Sequence, residues 1–190
     1  MKRTMLLAAV LMAGAGAPIL AAGQGEVQLA AYLGRQNLRV DDDAAIGNDR
    51  GERHGVVVGA AVAYRLPRGL LFEVSLLHAS YNDFLLGDLF ERNIGNYQYS
   101  GAVGWQFDKD RWRFTPKVGV VRSKLTTSGP LLFPPDDELT DMVYATAPFI
   151  EASAVRRIRG HLALGLFLRE TFEDFGHTHS GGATLHYYFD

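Results

Sequence analysis

Residues 96–123, NYQYSGAVGWQFDKDRWRFTPKVGVVRS, alternate with period two on both sides of a short polar break. Tyr97, Tyr99, Gly101, Val103, Trp105 and Phe107 fall on one face, and Gln98, Ser100, Ala102, Gly104 and Gln106 fall on the other. After Asp108–Arg111 the pattern restarts, with Trp112, Phe114, Pro116, Val118 and Val120 set against Arg113, Thr115, Lys117, Gly119 and Ser123. Successive side chains of a strand point to opposite sides, so alternation sustained this long predicts a hairpin of a two-faced sheet.

The same rhythm runs outward in both directions. It predicts strands over Val27–Asn37, Gly55–Leu66 and Leu70–Tyr81 before the hairpin, and over Met142–Val155, His161–Phe172 and Gly182–Phe189 after it. With the hairpin that makes eight strands. The connections at 40–53, 82–92, 125–141 and 173–180 read as long, and those at 67–69, 108–111 and 156–160 as tight. Long loops on one side and short turns on the other belong to a barrel that crosses a membrane. Each strand also has about the 9–11 residues that a tilted strand needs to span a bilayer.

Bulk properties narrow the class. The formal charge of −2 over 190 residues gives no basic surface for collecting phosphates, so nucleic acid is not an expected partner. The absence of cysteine excludes a disulfide framework and thiolate metal sites. Lys2 and Arg3, the apolar Met5–Ala17 and the small residues Ala21-Ala22-Gly23 read as a secretory signal peptide over 1–23, leaving 24–190 as the mature domain. No later segment approaches the roughly 18 uninterrupted apolar residues of a membrane helix, so a membrane-inserted mature chain has to be a closed barrel.

The two faces differ in the way lipid and lumen require. One consists mainly of Gly, Ala, Ser, Thr and Gln with about one charge per strand, which suits a lumen of eight strands that side chains just fill. The other is nearly free of charge, as expected where Arg or Lys at mid-bilayer costs roughly 2–4 kcal/mol. Tyr64, Phe72, Trp105, Phe107, Trp112, Phe114, Tyr187 and Phe189 gather on the apolar face near the short turns, forming a girdle at one interface. Tyr97, Tyr99 and Tyr144 are candidates for the opposite interface.

With its signal peptide, eight alternating strands, short turns and closing stretch Leu185-His186-Tyr187-Tyr188-Phe189, the chain resembles the small eight-stranded outer-membrane barrels of Gram-negative bacteria, the OmpA-transmembrane, OmpX and Ail type. The resemblance implies an all-β up-and-down barrel, a monomer among outer-membrane lipids including lipopolysaccharide. It also implies that barrel-assembly machinery recognises the last strand, although here Asp190 follows the terminal aromatic.

Several groups carry possible chemistry. Arg65, Glu73, Lys117, Glu151 and Arg169 all face inward and are expected to form a buried network of opposite charges filling the lumen. His177, His179 and Ser180, in the expected last loop near Glu173, invite comparison with a Ser-His-acid hydrolase such as a lipid A deacylase. The deacylase's His-x-Ser spacing is missing, because Ser180 directly follows His179. Pro116 and Pro148 cannot donate to a ladder and mark either a bulge or a lateral gap admitting a lipid tail, as in an outer-membrane palmitoyltransferase. The loop segments containing Phe84, Leu85, Leu86 and Phe90, and Leu131, Leu132 and Phe133, place apolar residues where a partner could dock. Together these predict a structural or surface-interaction protein with no cofactor and no metal. A lipid-modifying enzyme and a narrow pore are the alternatives.

Overall fold

The computed structural model describes residues 25–40, 51–81, 93–128, 141–174 and 176–189; the signal peptide and the loop segments 84–90 and 131–133 lie outside them. Eight antiparallel strands form the wall: β1 Glu26–Val40, β2 Gly51–Arg65, β3 Leu70–Ser80, β4 Asn93–Trp105 with a short continuation Phe107–Lys109, β5 Trp112–Ser128, β6 Asp141–Arg159, β7 Leu162–Glu173 and β8 Gly176–Phe189. Each strand pairs with its neighbours in the chain, and β8 pairs with β1 to close the sheet. The described residues include no helix.

The registers fix the barrel's shape. A path of directly paired residues runs Val27, Tyr64, Phe72, Val103, Val118, Ile150, Glu170 and His179. It returns to β1 at Asn37, ten residues above its start (27 to 37). That stagger around eight strands corresponds to a tilt of about 40° and a climb of about 2.5 Å per residue along the axis.

The faces are those the alternation predicts. On β5, Trp112, Phe114, Val118 and Val120 point outward and exposed. The first outward charge above Trp112 is Arg122, ten positions up (112 to 122). That interval is about 25 Å at the climb above, the height of the apolar band of a membrane barrel. The inward face is narrow, and three of its rings are seated beside glycines on a neighbouring strand: Tyr32 by Gly59, Phe149 by Gly119 and Phe167 by Gly182. In the outer half of the lumen Leu38, Val57, Leu77, Ile94 and Leu125 pack into an apolar cluster.

The strands run past their expected outer ends. β5 continues to Ser128, and β8 begins at Gly176 where a loop over 173–180 is expected. Glu173 pairs with Gly176, so the seventh connection is a tight turn and the alternation of long and short connections stops there. The cause is that outward residues above the bilayer no longer need to be apolar. His177 and His179 face out while Thr178 and Ser180 face in, so the period of two persists in polar side chains. At the other end β6 extends through Arg159 with a bulge between Arg157 and Arg159, shortening the expected 156–160 turn.

Pro116 and Pro148 sit within continuous pairing, opposite Ala152 and Val120. The β5–β6 ladder runs unbroken from Trp112–Arg156 to Thr127–Asp141, so neither proline opens a gap to the lumen. Pro116 acts on its other neighbour. Pairing of β4 with β5 stops at Gly104–Lys117 and resumes at Phe107–Phe114, with Pro116 and its missing N–H in the interruption. Gln106 N instead donates to Gly69 O at 2.7 Å.

Candidate functional site: the lumen and the rims

The centre of the lumen is built from a row on three neighbouring strands. Lys117 on β5 is paired directly with Glu151 on β6, and Glu151 with Arg169 on β7. Lys117 is in ion-pair contact with Glu151. Arg169 Nε donates to Glu151 Oε2 at 2.7 Å. From the far wall, Glu73 on β3 accepts from Lys117 Nζ at 2.9 Å on each carboxylate oxygen. All four side chains are buried, and two cations balance two anions. This is the arrangement a buried charge requires, since each is paired and hydrogen-bonded.

Tyr32 stands at the middle of this cluster. Lys117 Nζ donates to its hydroxyl at 3.3 Å, and the hydroxyl lies 3.4 Å from Glu73 Oε1. Its ring meets Phe167 edge-on at 4.9 Å. Arg169 also donates to Ser75 Oγ at 3.2 Å and lies 4.5 Å over the Phe149 ring.

Arg65 does not join this row. It lies at the short-turn end, where its Nη2 is 2.6 Å from Asp108 Oδ2. Arg113 binds the same carboxylate at 3.2 Å and holds Glu26 in a two-pronged contact of 2.6 and 3.0 Å. Its guanidinium also lies 4.2 Å over the Tyr188 ring. Arg113 thereby ties β1, the β4–β5 turn and β8 together across the mouth. At the outer end Glu173 accepts from Ser123 Oγ, and from Thr178 Oγ1 at 2.6 Å.

Sequence reasoning did not single out Tyr32, Arg113, Glu26 or Glu173 as members of these clusters. Tyr32 and Arg113 were legible as inward-facing, but alternation states which side a residue faces and not how far across the lumen it reaches. Glu173 fell in an expected loop.

The hydrolase comparison fails on the same alternation. His177 and His179 project from the outer wall, Ser180 is buried on the lumen side, and Glu173 is engaged by Ser123 and Thr178. Among the described residues, the acid that His179 meets is Glu170, also outward, at 3.9 Å. Nucleophile and base thus stand on opposite sides of the wall. Among the described residues no three His, Cys, Asp or Glu side chains gather into a metal site.

On the wall itself, Phe72, Trp105, Phe107, Trp112, Phe114, Tyr187 and Phe189 are exposed at the short-turn end, and Tyr64 is half-buried beside them. Tyr99 and Tyr144 are exposed at the outer end, where Arg122 and Lys124 lie 5.7 and 5.8 Å from the Tyr144 ring. Tyr97 stacks on His78 at 4.2 Å. Above the short-turn girdle, a groove of about 260 Å³ indents the outer surface of β5–β7 between Phe114, Pro116, Ala152, Ala154, Leu166 and Leu168.

No family model matches the chain, and no curated protein matches it in sequence. Solved structures match it in fold. Ail, the attachment invasion locus protein of Yersinia pestis, solved in complex with the heparin analogue sucrose octasulfate, superposes with a TM-score of 0.59 at 11% identity, covering 87% of this chain and 99% of that one. Neisserial surface protein A gives 0.60 at 13% identity, over 87% and 97% of the two chains. The N-terminal β-barrel domain of Pseudomonas aeruginosa OprF gives 0.51 at 15% identity, over 87% and 100%. The chain shares the eight-stranded barrel fold of these outer-membrane proteins, and the charge-free belt around its wall is what a bilayer demands of a spanning barrel.

Proposed function

We propose that this barrel is a monomeric surface protein whose lumen is sealed and whose activity is binding by its outer loops. The observation that carries the first part is the charge-balanced cluster of Glu73, Lys117, Glu151 and Arg169, which joins strands on opposite walls through the centre of the lumen. An eight-stranded barrel has room for side chains and little else. The second part is supported by fold likeness to an attachment protein and by the apolar residues of segments 84–90 and 131–133. A hydrolase built on His179 and Ser180 has no support, because the two residues stand on opposite sides of the wall. The lipids around the belt, including lipopolysaccharide, and the assembly machinery that meets the C-terminal strand are its expected neighbours.

Deleting residues 84–90 from the full chain should abolish adherence of expressing cells to host cells while the barrel still folds. Unchanged adherence would overturn the binding role. Purified protein in planar bilayers should show no steady conductance, and an open channel in the wild type would overturn the sealed lumen.

A further inference from the structure

Two turns at the short-turn end come together into one cationic corner. The β4–β5 turn carries Lys109 and Arg111, and the β6–β7 end carries Arg156, Arg157 and Arg159; all five are exposed. Arg157 N donates to Arg111 O at 2.8 Å, which locks the two turns side by side. Two tight reversals, with Asp110 at φ 57° and Gly160 at φ 53°, keep the corner compact. Of the two acids in the first turn, Asp108 is engaged by Arg65 and Arg113, and the Arg157 guanidinium lies 5.5 Å over the Tyr188 ring, which leaves Asp110 against Lys109, Arg111, Arg156 and Arg159.

The corner lies at one level of the membrane. Trp112 pairs across the ladder with Arg156, whose guanidinium is 5.9 Å from the indole ring. Trp112 begins the apolar belt, so the cations sit where lipid phosphates lie. The next pairs up the same ladder are Phe114–Ala154 and Pro116–Ala152, and these border the apolar groove on the outer wall. The groove exists because small Ala152 and Ala154 lie between bulky neighbours on β5 and β7. A cationic corner and an apolar furrow therefore follow one another along the same strands.

We propose that this composite surface is a binding site for an anionic phospholipid of the periplasmic leaflet, its phosphate held by Arg111, Arg156 and Arg159 and one acyl chain lying in the groove. Guanidinium groups suit phosphate because they donate in a planar fork. An acidic protein or the cell-wall polymer would use the cations but has no reason to need the furrow above them.

The test uses the full mature chain in nanodiscs containing phosphatidylcholine with phosphatidylglycerol or cardiolipin, followed by native mass spectrometry. The wild type should retain the anionic lipid and release phosphatidylcholine. Each basic residue near a charged membrane contributes about fivefold in affinity, so the triple variant R111Q/R156Q/R159Q should weaken retention roughly a hundredfold. The substitution Ala154→Phe, which fills the groove and leaves every charge, should also weaken it; R122Q/K124Q at the opposite rim should not. Heat-dependent electrophoretic mobility verifies that each variant is folded. Three results would overturn the proposal: wild-type retention no greater for anionic lipid than for phosphatidylcholine, a folded triple variant that retains as wild type does, or triple-variant loss with Ala154→Phe unaffected. The last would make the corner a charge patch open to the cell-wall polymer.

Discussion

Glu73 and Glu151 reach the same ammonium group, that of Lys117, from different sides of the lumen. β3 and β6 are not neighbours in the sheet, so Lys117 links walls that no backbone hydrogen bond connects. Replacing it with methionine keeps the volume and leaves two buried carboxylates with Arg169 alone. Breaking a buried pair in this way costs about 3–5 kcal/mol. Lys117→Met should therefore lower the urea midpoint of the protein in phospholipid vesicles, followed by tryptophan fluorescence. Adding Glu73→Gln should recover part of the loss, and an unchanged midpoint in the single variant would count against the link.

The seam between the first and last strands depends on two glycines. Gly34 and Gly182 are direct partners across it. A Cβ on Gly182 would lie 2.2 Å from Leu33 O and 2.4 Å from Gly34 Cα, both backbone atoms that cannot swing aside. Gly182→Val should displace β8 from β1 and cost at least the roughly 1–3 kcal/mol of an overpacked site. The expected readout is a smaller fraction of the compact, fast-migrating form on unheated gels after refolding. Val at Gly101, where an added Cβ meets nothing within 4 Å, should leave that fraction unaltered.

The wall predicts a depth-dependent penalty. Leu166 and Leu168 are 66% and 70% exposed within the charge-free run of β7, which makes them lipid-facing. Leu166→Arg should cost about 2–4 kcal/mol in vesicle unfolding experiments. Arg122→Leu at the outer rim moves no charge into lipid and should change stability by less than about 1 kcal/mol. Equal effects at the two positions would mean that the belt is placed wrongly.

The difference between what could and could not be read from the chain follows from the same geometry. Alternation around Asn96–Ser123 fixed which side each residue faces, and the eight strands and the girdle from Trp105 to Phe114 followed. It did not fix how long the strands are, because hydrophobic contrast vanishes above the bilayer, where His177, Thr178, His179 and Ser180 still alternate as polar residues. Nor could it fix cross-lumen contacts. Lys117 and Glu151 are ladder neighbours and legible as such, but whether Arg65 meets them depends on stagger, which is a property of the closed sheet. Arg65 lies at the short-turn end of β2, so it meets Asp108 instead.

That same stagger makes Arg113 the clasp of the short-turn mouth, the junction where the barrel's two chain ends meet. Its guanidinium holds Glu26 at the start of β1, Asp108 in the β4–β5 turn and the face of Tyr188 near the end of β8. Charge-assisted, two-pronged contacts of this kind are about twice as strong as neutral hydrogen bonds. Arg113→Ala removes all three at once and should cost about 2–3 kcal/mol. Because Arg65 still neutralises Asp108, the loss should be local to the seam. Hydrogen exchange should therefore quicken at residues 26–29 and 186–189 and stay unaltered in the β3–β4 ladder around Phe72 and Val103. Arg113→Lys keeps the charge but loses the fork, and should fall between the two. Uniform acceleration around the whole barrel would instead assign Arg113 to global stability and remove its role as a clasp.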